Sequence, residues 1–99
     1  MSLSIIIPCR DEEENISSTI YKLKKKLSKK IKNYEIIIVN DFSEDKTLKI
    51  CKTFSSKKII IKNNLRKGLG GAINLGINSS KKKYITIMMA DLSDSFFDL

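Results

Sequence analysis

The stretch SIIIPCRDEEENI, residues 4–16, decides how the chain is read. Three consecutive isoleucines with no polar alternation describe a strand buried on both faces, as in parallel sheets with helices on either side. Pro8 cannot donate to a strand ladder, so the strand from Leu3 to Ile7 is expected to end there. The acids that follow, Asp11 to Glu14, stand before an apolar stripe of helical spacing: Ile16, Ile20, Leu23 and Leu27. That spacing predicts a helix with one buried face, with Glu12 to Glu14 at its start and Lys24 to Lys30 near its end, complementing the helix dipole.

The same alternation continues outward from this unit. EIIIVN (35–40), IIIK (59–62) and YITIMMA (84–90) read as three further strands. Between the second and third, Ser43 is the expected N-cap, with Glu44 and Asp45 in the first turn and a stripe of Thr47, Ile50, Cys51 and Phe54. Between the third and fourth, Gly68 to Gly71 lead into a weaker helix through Ala72, Ile73, Gly76 and Ile77, ending near Asn78 and Ser79. The order β-α-β-α-β-α-β predicts parallel strands, right-handed crossovers and a three-layer α/β/α sandwich.

Composition narrows the chemistry. The chain has 99 residues, with 19 Lys+Arg against 11 Asp+Glu, a formal charge of +8, two Cys and no His. One domain is the most it can form. Triads and dyads built on imidazole are excluded, as are zinc sites that need it. Cys9 and Cys51 lack C-x-x-C spacing, which fits a reducing compartment. There is no apolar run of about 18 residues and no basic segment ahead of the N-terminal apolar stretch, so the chain is expected to be soluble or peripheral in the cytoplasm, without a secretion signal.

In open parallel sheets ligands bind beyond the carboxyl ends of the strands. Those ends carry Cys9-Arg10-Asp11-Glu12, Asn40-Asp41-Phe42-Ser43, the segment from Asn63 to Gly71, and Ala90-Asp91-Leu92-Ser93-Asp94. Asp91 and Asp94 offer hard oxygen ligands for Mg2+ or Mn2+ beside a diphosphate. Asp41 offers an acceptor for a base N–H or a ribose hydroxyl, although an Asx turn would use the same side chain. Glu12 could act likewise or simply favour a helix N-terminus. Arg10 and Lys67 suit phosphate. The segment Arg66-Lys67-Gly68-Leu69-Gly70-Gly71 matches neither the Walker loop nor the dinucleotide fingerprint, and its glycines fit close backbone approach instead.

Taken together, SIIIPCRDEEENI, EIIIVNDFSEDKT, NLRKGLGGAINLGI and YITIMMADLSDSFFDL resemble, in this order and spacing, the N-terminal half of a family 2 glycosyltransferase with the GT-A fold. They are most similar to the dolichol-phosphate mannose synthase-like and polyprenyl-phosphate hexosyltransferase group, over nearly all of residues 1–99. The resemblance implies an inverting enzyme that moves a hexose from a UDP- or GDP-sugar to an acceptor such as polyprenyl or dolichyl phosphate. It implies work in cell-envelope glycan or glycolipid synthesis, at the cytoplasmic face of the membrane.

Position by position, the resemblance puts Pro8, Arg10 and Glu12 in the nucleotide pocket, Val39 and Asp41 at the base and ribose, and Lys67 and Gly68 beside the nucleotide. Ala90 and Asp91 match the end of the D-x-D metal motif. Four positions depart from the pattern: Arg10 stands for an aromatic residue, Asn40 for an Asp, Arg66 for a Gly, and Met89 for the first Asp of D-x-D. Met89 is a poor ligand for a hard cation, which leaves Asp91 and Asp94 as the expected metal ligands.

GT-A enzymes are longer, so the resemblance implies a fold truncated after its fourth strand, with the general base beyond residue 99. An uncovered sheet edge would favour self-association. A rival reading, a basic nucleic-acid-binding module, has the charge in its favour but no stacking pattern among its aromatics, so no nucleic-acid partner is expected.

Overall fold

The computed structural model describes residues 1–90. Four strands, β1 (Ser2–Cys9), β2 (Asn33–Asn40), β3 (Ile59–Asn63) and β4 (Tyr84–Ile87), alternate with three helices, α1 (Ile16–Lys30), α2 (Thr47–Lys52) and α3 (Leu69–Ser79). All pairings are parallel and the strand order is β3-β2-β1-β4. The register sets Ile5, Ile6 and Ile7 opposite Ile36, Ile37 and Ile38. The two isoleucine triplets therefore lie side by side at the centre of the sheet, and all six side chains are fully buried.

Strand alternation then divides the core in two. Ile5, Ile7, Ile36 and Ile38 face Ile16, Ile20, Leu23 and Leu27 of α1 and Cys51 of α2. On the other face Ile37 and Val39 meet Ala72 and Leu75 of α3. The three-layer arrangement follows. Each fully buried isoleucine contributes about 1.5–3 kcal/mol of transfer free energy, so the six central ones dominate the stability of the sheet.

Local details depart from the sequence expectation in four places. β1 runs through Pro8 to Cys9. The Ile6 carbonyl accepts from Met88 on the β4 side and the Cys9 carbonyl from Asp41 on the β2 side. By alternation the Pro8 nitrogen faces β4, and pairing there ends at Ile6 and Ile87, so no ladder bond is lost. β4 stops at Ile87 rather than Ala90. α1 begins at Ile16, with no acid in its first turn and no side-chain cap from Asn15. Glu12 instead accepts the Asn15 and Ile16 N–H groups through its carbonyl. α2 begins at Thr47 behind Lys46, so Ser43 is not its cap.

Among the described residues, no helix is long and apolar enough to cross a membrane. The lysines ahead of the strands gather at the amino edge of the sheet and are partly engaged there. Lys58 Nζ donates to the Lys32 carbonyl at 2.8 Å and lies 4.3 Å from the centre of the Tyr34 ring. Lys82 Nζ donates to Asn33 Oδ1 at 2.6 Å. The buried pair Ser4 and Glu35 fastens the same edge: Glu35 Oε2 accepts from Ser4 Oγ and from the Lys81 N–H, each at 2.6 Å.

Gly76 sets how closely α3 approaches the sheet. A Cβ there would stand 2.4 Å from Cγ2 of Ile6, which is fully buried. Gly76→Ala is expected to destabilise the chain by about 1–3 kcal/mol through overpacking. Gly70→Ala, on the same helix with no atom within 4 Å of its Cβ position, is expected to stabilise by about 0.5–1 kcal/mol. Urea denaturation of the two variants checks both signs.

Candidate functional site

Because all four strands are parallel, their carboxyl ends and the loops that follow share one edge. A cleft of about 310 Å³ opens there, lined by Pro8, Cys9, Arg10, Glu12, Asp41, Gly68, Leu69, Met89 and Ala90. These residues come from the ends of β1 and β2, the start of α3 and the segment after β4. Of the residues expected to bind nucleotide, the fold brings Pro8, Arg10, Glu12, Asp41, Gly68 and Ala90 to this wall. Val39 is fully buried against α3 and does not line the cleft. Lys67 is exposed and acts on the site through its charge. Asp91 and Asp94 lie outside the described residues, and the described residues alone contain no cluster of metal-ligating side chains.

Asp41 is the best-defined polar group of the cleft. It is 6% exposed, and its Oδ1 accepts from the Gly68 N–H and from Asn64 Nδ2, both at 2.9 Å. Among the described residues no partner is recorded for Oδ2, which can accept from a ligand. Burial alone would raise the Asp41 pKa. The Gly68 and Asn64 hydrogen bonds and the charges of Arg10 and Lys67 outweigh it and hold the carboxyl below its ordinary value. The local turn bond that Asp41 was a candidate for belongs to Asn40, whose Oδ1 accepts the Ser43 N–H at 3.3 Å. Gly68 has φ +121°, a conformation that L side chains rarely adopt, and this turns its N–H onto Asp41.

Sequence reading missed the clasp between the loops after β1 and β2. Asp11 donates its N–H to Ser43 Oγ at 3.0 Å, and its Oδ1 accepts the Glu44 N–H at 2.7 Å. In return the Glu13 N–H reaches Asp45 Oδ2 at 3.2 Å and the Glu12 N–H reaches Thr47 Oγ1 at 2.8 Å. Asp45 Oδ1 also takes the Thr47 N–H at 2.9 Å. The clasp holds Asp11 and Phe42 at positive φ, 52° and 58°. An aspartate tolerates that conformation; a phenylalanine pays strain of about 1–3 kcal/mol. Thr19 was missed too: its Oγ1 donates to the Ala90 carbonyl at 3.2 Å, tying the cleft wall to α1. A polar residue within an apolar helical stripe was the signal available for it.

Both cysteines are free and buried. Cys51 packs in the core as expected, whereas Cys9 lines the cleft. A hydrogen bond with Cys51, then burial, then the nearby carboxylates of Glu12 and Asp45 push the Cys9 thiol well above its ordinary pKa. A raised pKa disfavours the thiolate that a nucleophile needs.

A parallel sheet in the order 3-2-1-4, with a buried acceptor carboxylate after the second strand and a glycine turn beside it, defines an α/β domain of the Rossmann-like class. The description Glycosyl transferase family 2 matches residues 4–96, and the chain belongs to that family. It is 33% identical over 107 residues to a dolichyl-phosphate beta-glucosyltransferase of Mus musculus, an alignment covering 98% of this chain and 33% of that one. It is 33% identical over 94 residues to the dolichol-phosphate mannosyltransferase of Pyrococcus furiosus, covering 93% of this chain and 26% of that one. Among solved structures, mannosyl-3-phosphoglycerate synthase from Rubrobacter xylanophilus superposes with a TM-score of 0.79 at 15% identity, over 92% of this chain and 31% of that chain. The fold is therefore that of the GT-A glycosyltransferases, and the chain spans about a third of the length of the first of these relatives.

The carboxylates give the site a pH signature. Burial opposes ionisation of Asp45 as well, but hydrogen bonds from Thr47 and the Glu13 N–H override it and lower its pKa. Groups with lowered folded pKa values stabilise the fold fully above the ordinary Asp value, about 3.9, and lose that contribution as pH falls through the folded value. Urea midpoints are therefore expected to be flat near neutrality and to drop in acid. Asp41→Asn should flatten the acid limb while lowering the neutral plateau.

Proposed function

We propose that the chain is the donor-binding part of an inverting glycosyltransferase that moves a hexose from a UDP- or GDP-sugar to a lipid phosphate of the polyprenyl or dolichyl class. The observation that carries this reading is the carboxylate of Asp41, buried at the strand edge with Oδ1 occupied and held ionised. Such a group accepts hydrogen bonds from a nucleoside and repels phosphate, so it belongs at the base or ribose end of the donor. Arg10, exposed at the cleft, and Lys67 beside it supply positive charge for the diphosphate. Membership of the family and the activities for which the relatives are named support the sugar-transfer chemistry and the lipid-phosphate acceptor.

A divalent cation, Mg2+ or Mn2+, fits the donor set only in part. Met89 lines the cleft and offers sulfur, a poor ligand for a hard ion. Asp91, which follows Ala90 of the cleft wall in sequence, and Asp94 would hold the ion. When bound, it would neutralise charge on the leaving diphosphate. The chain's own groups orient the donor: Asp41, Glu12 and the backbone near Gly68 at the nucleoside. Transfer takes place in this reading at the cytoplasmic face of the membrane, in cell-envelope glycan or glycolipid synthesis.

Calorimetric titration with UDP and GDP, with and without Mn2+, tests the proposal. One nucleotide is expected to bind in a metal-dependent way. Asp41→Ala should weaken it by about tenfold or more, the loss of a hydrogen bond to a charged group. Asp91→Ala should remove the metal dependence. Binding of neither nucleotide by the folded chain would overturn the reading.

A further inference from the structure

Asn64 stands apart from the other polar groups near the cleft. It is 6% exposed and lies just past the end of β3, on neither the strand nor the cleft wall. Its side-chain nitrogen donates to three oxygens: the Arg66 carbonyl at 2.6 Å, Asp41 Oδ1 at 2.9 Å and the Gly68 carbonyl at 3.2 Å. The Arg66 N–H approaches its Oδ1 at 3.4 Å. Its own N–H is anchored to the Asn40 carbonyl at 2.9 Å. Two amide hydrogens thus serve three acceptors drawn from two different loops.

The three acceptors are themselves linked. Gly68 donates its N–H to the same Asp41 oxygen that Asn64 holds. The Gly68 carbonyl also accepts the Ala72 N–H, the first bond of α3. The Arg66 carbonyl faces that helix so closely that a Cβ on Gly71 would stand 2.3 Å from it. A small ring of hydrogen bonds therefore joins the end of β2, the turn through residues 64–68 and the start of α3, and the Asn64 amide sits at its centre.

We propose that Asn64 is a positioning residue for donor binding, its amide holding the carboxylate of Asp41 and the turn through Gly68 as a single unit. This rests on reading the cleft as a nucleotide site. The role demands donors: every group facing Nδ2 is an acceptor, so an isosteric carboxylate would meet a carboxylate and two carbonyls with nothing to give. Deprotonated, it would turn Asp41 away from its seat; protonated, it would restore one donor.

The test is the affinity of the full chain for UDP and GDP with Mn2+ as a function of pH, for wild type, Asn64→Asp and Asn64→Ser, with folding followed by circular dichroism. At neutral pH Asn64→Asp is expected to bind the preferred nucleotide about tenfold or more weakly, and the deficit should shrink as the introduced carboxyl is protonated. Asn64→Ser keeps a single donor without a charge, so it should be weakened at every pH with no such recovery. It also serves if Asn64→Asp does not fold. A side chain that matters only for stability would lower the unfolding midpoint and leave the affinity of the folded chain unchanged. Equal affinities of wild type and every folded variant across pH therefore overturn the proposal alone. Failure of wild type to bind either nucleotide defeats the functional reading, and the proposal with it.

Discussion

The parallel pairing of Ile5, Ile6 and Ile7 with Ile36, Ile37 and Ile38 is the constraint from which the rest follows. Strands that are apolar on both faces cannot leave either face to water, so helices must cover both. Parallel strands cannot be joined by tight turns, so each connection must cross over and return to the same starting edge. The consequence is functional. Every loop that leaves a strand emerges at one edge, and residues from four separate stretches of sequence meet there without any of them being near another in the chain.

At that edge the polar groups solve a second problem. A carboxylate taken out of water needs partners, and Asp41 finds them in the Gly68 N–H and the Asn64 amide rather than in its own loop. The neighbouring loops are fastened nearer the surface, by the exchange of bonds between Asp11 and Asp45 with the N–H groups of the opposite loop. The loops after β1, β2 and β3 are held by one another, so this part of the cleft is shaped before any ligand arrives. Preorganisation of this kind reduces the ordering that binding would otherwise require. The lysines gather at the far edge, where ring faces and carbonyls engage some of them, so the net charge is largely separated from the site.

The fold was legible in the sequence because its signals are local. The isoleucine triplets, the stripe of α1 and the glycines before α3 can each be read within about one window of 11–18 residues. The cleft wall was legible in part, since the rule that parallel sheets bind ligands at their carboxyl edge picks out residues 10–12, 41 and 68 directly. Element ends were less so. Ser43 and Glu44 look like a helix start, but Ser43 Oγ and the Glu44 N–H both bond to Asp11, more than thirty residues earlier. Asn64 and Thr19 escaped for the same reason. Asp41 lies 23 residues from Asn64 and Ala90 lies 71 from Thr19, and an asparagine after a strand looks like any other turn residue until the fold delivers Asp41 to it.

The most direct test of the account is amide chemical-shift mapping of the chain as UDP and GDP are added in the presence of Mg2+. The account predicts shifts gathered at Arg10, Glu12, Asp41 and Gly68, with the lysine-rich edge around Lys58 and Lys82 unmoved. Shifts confined to that basic edge would contradict it, because they would show phosphate following net charge alone while the cleft at the strand ends stayed empty.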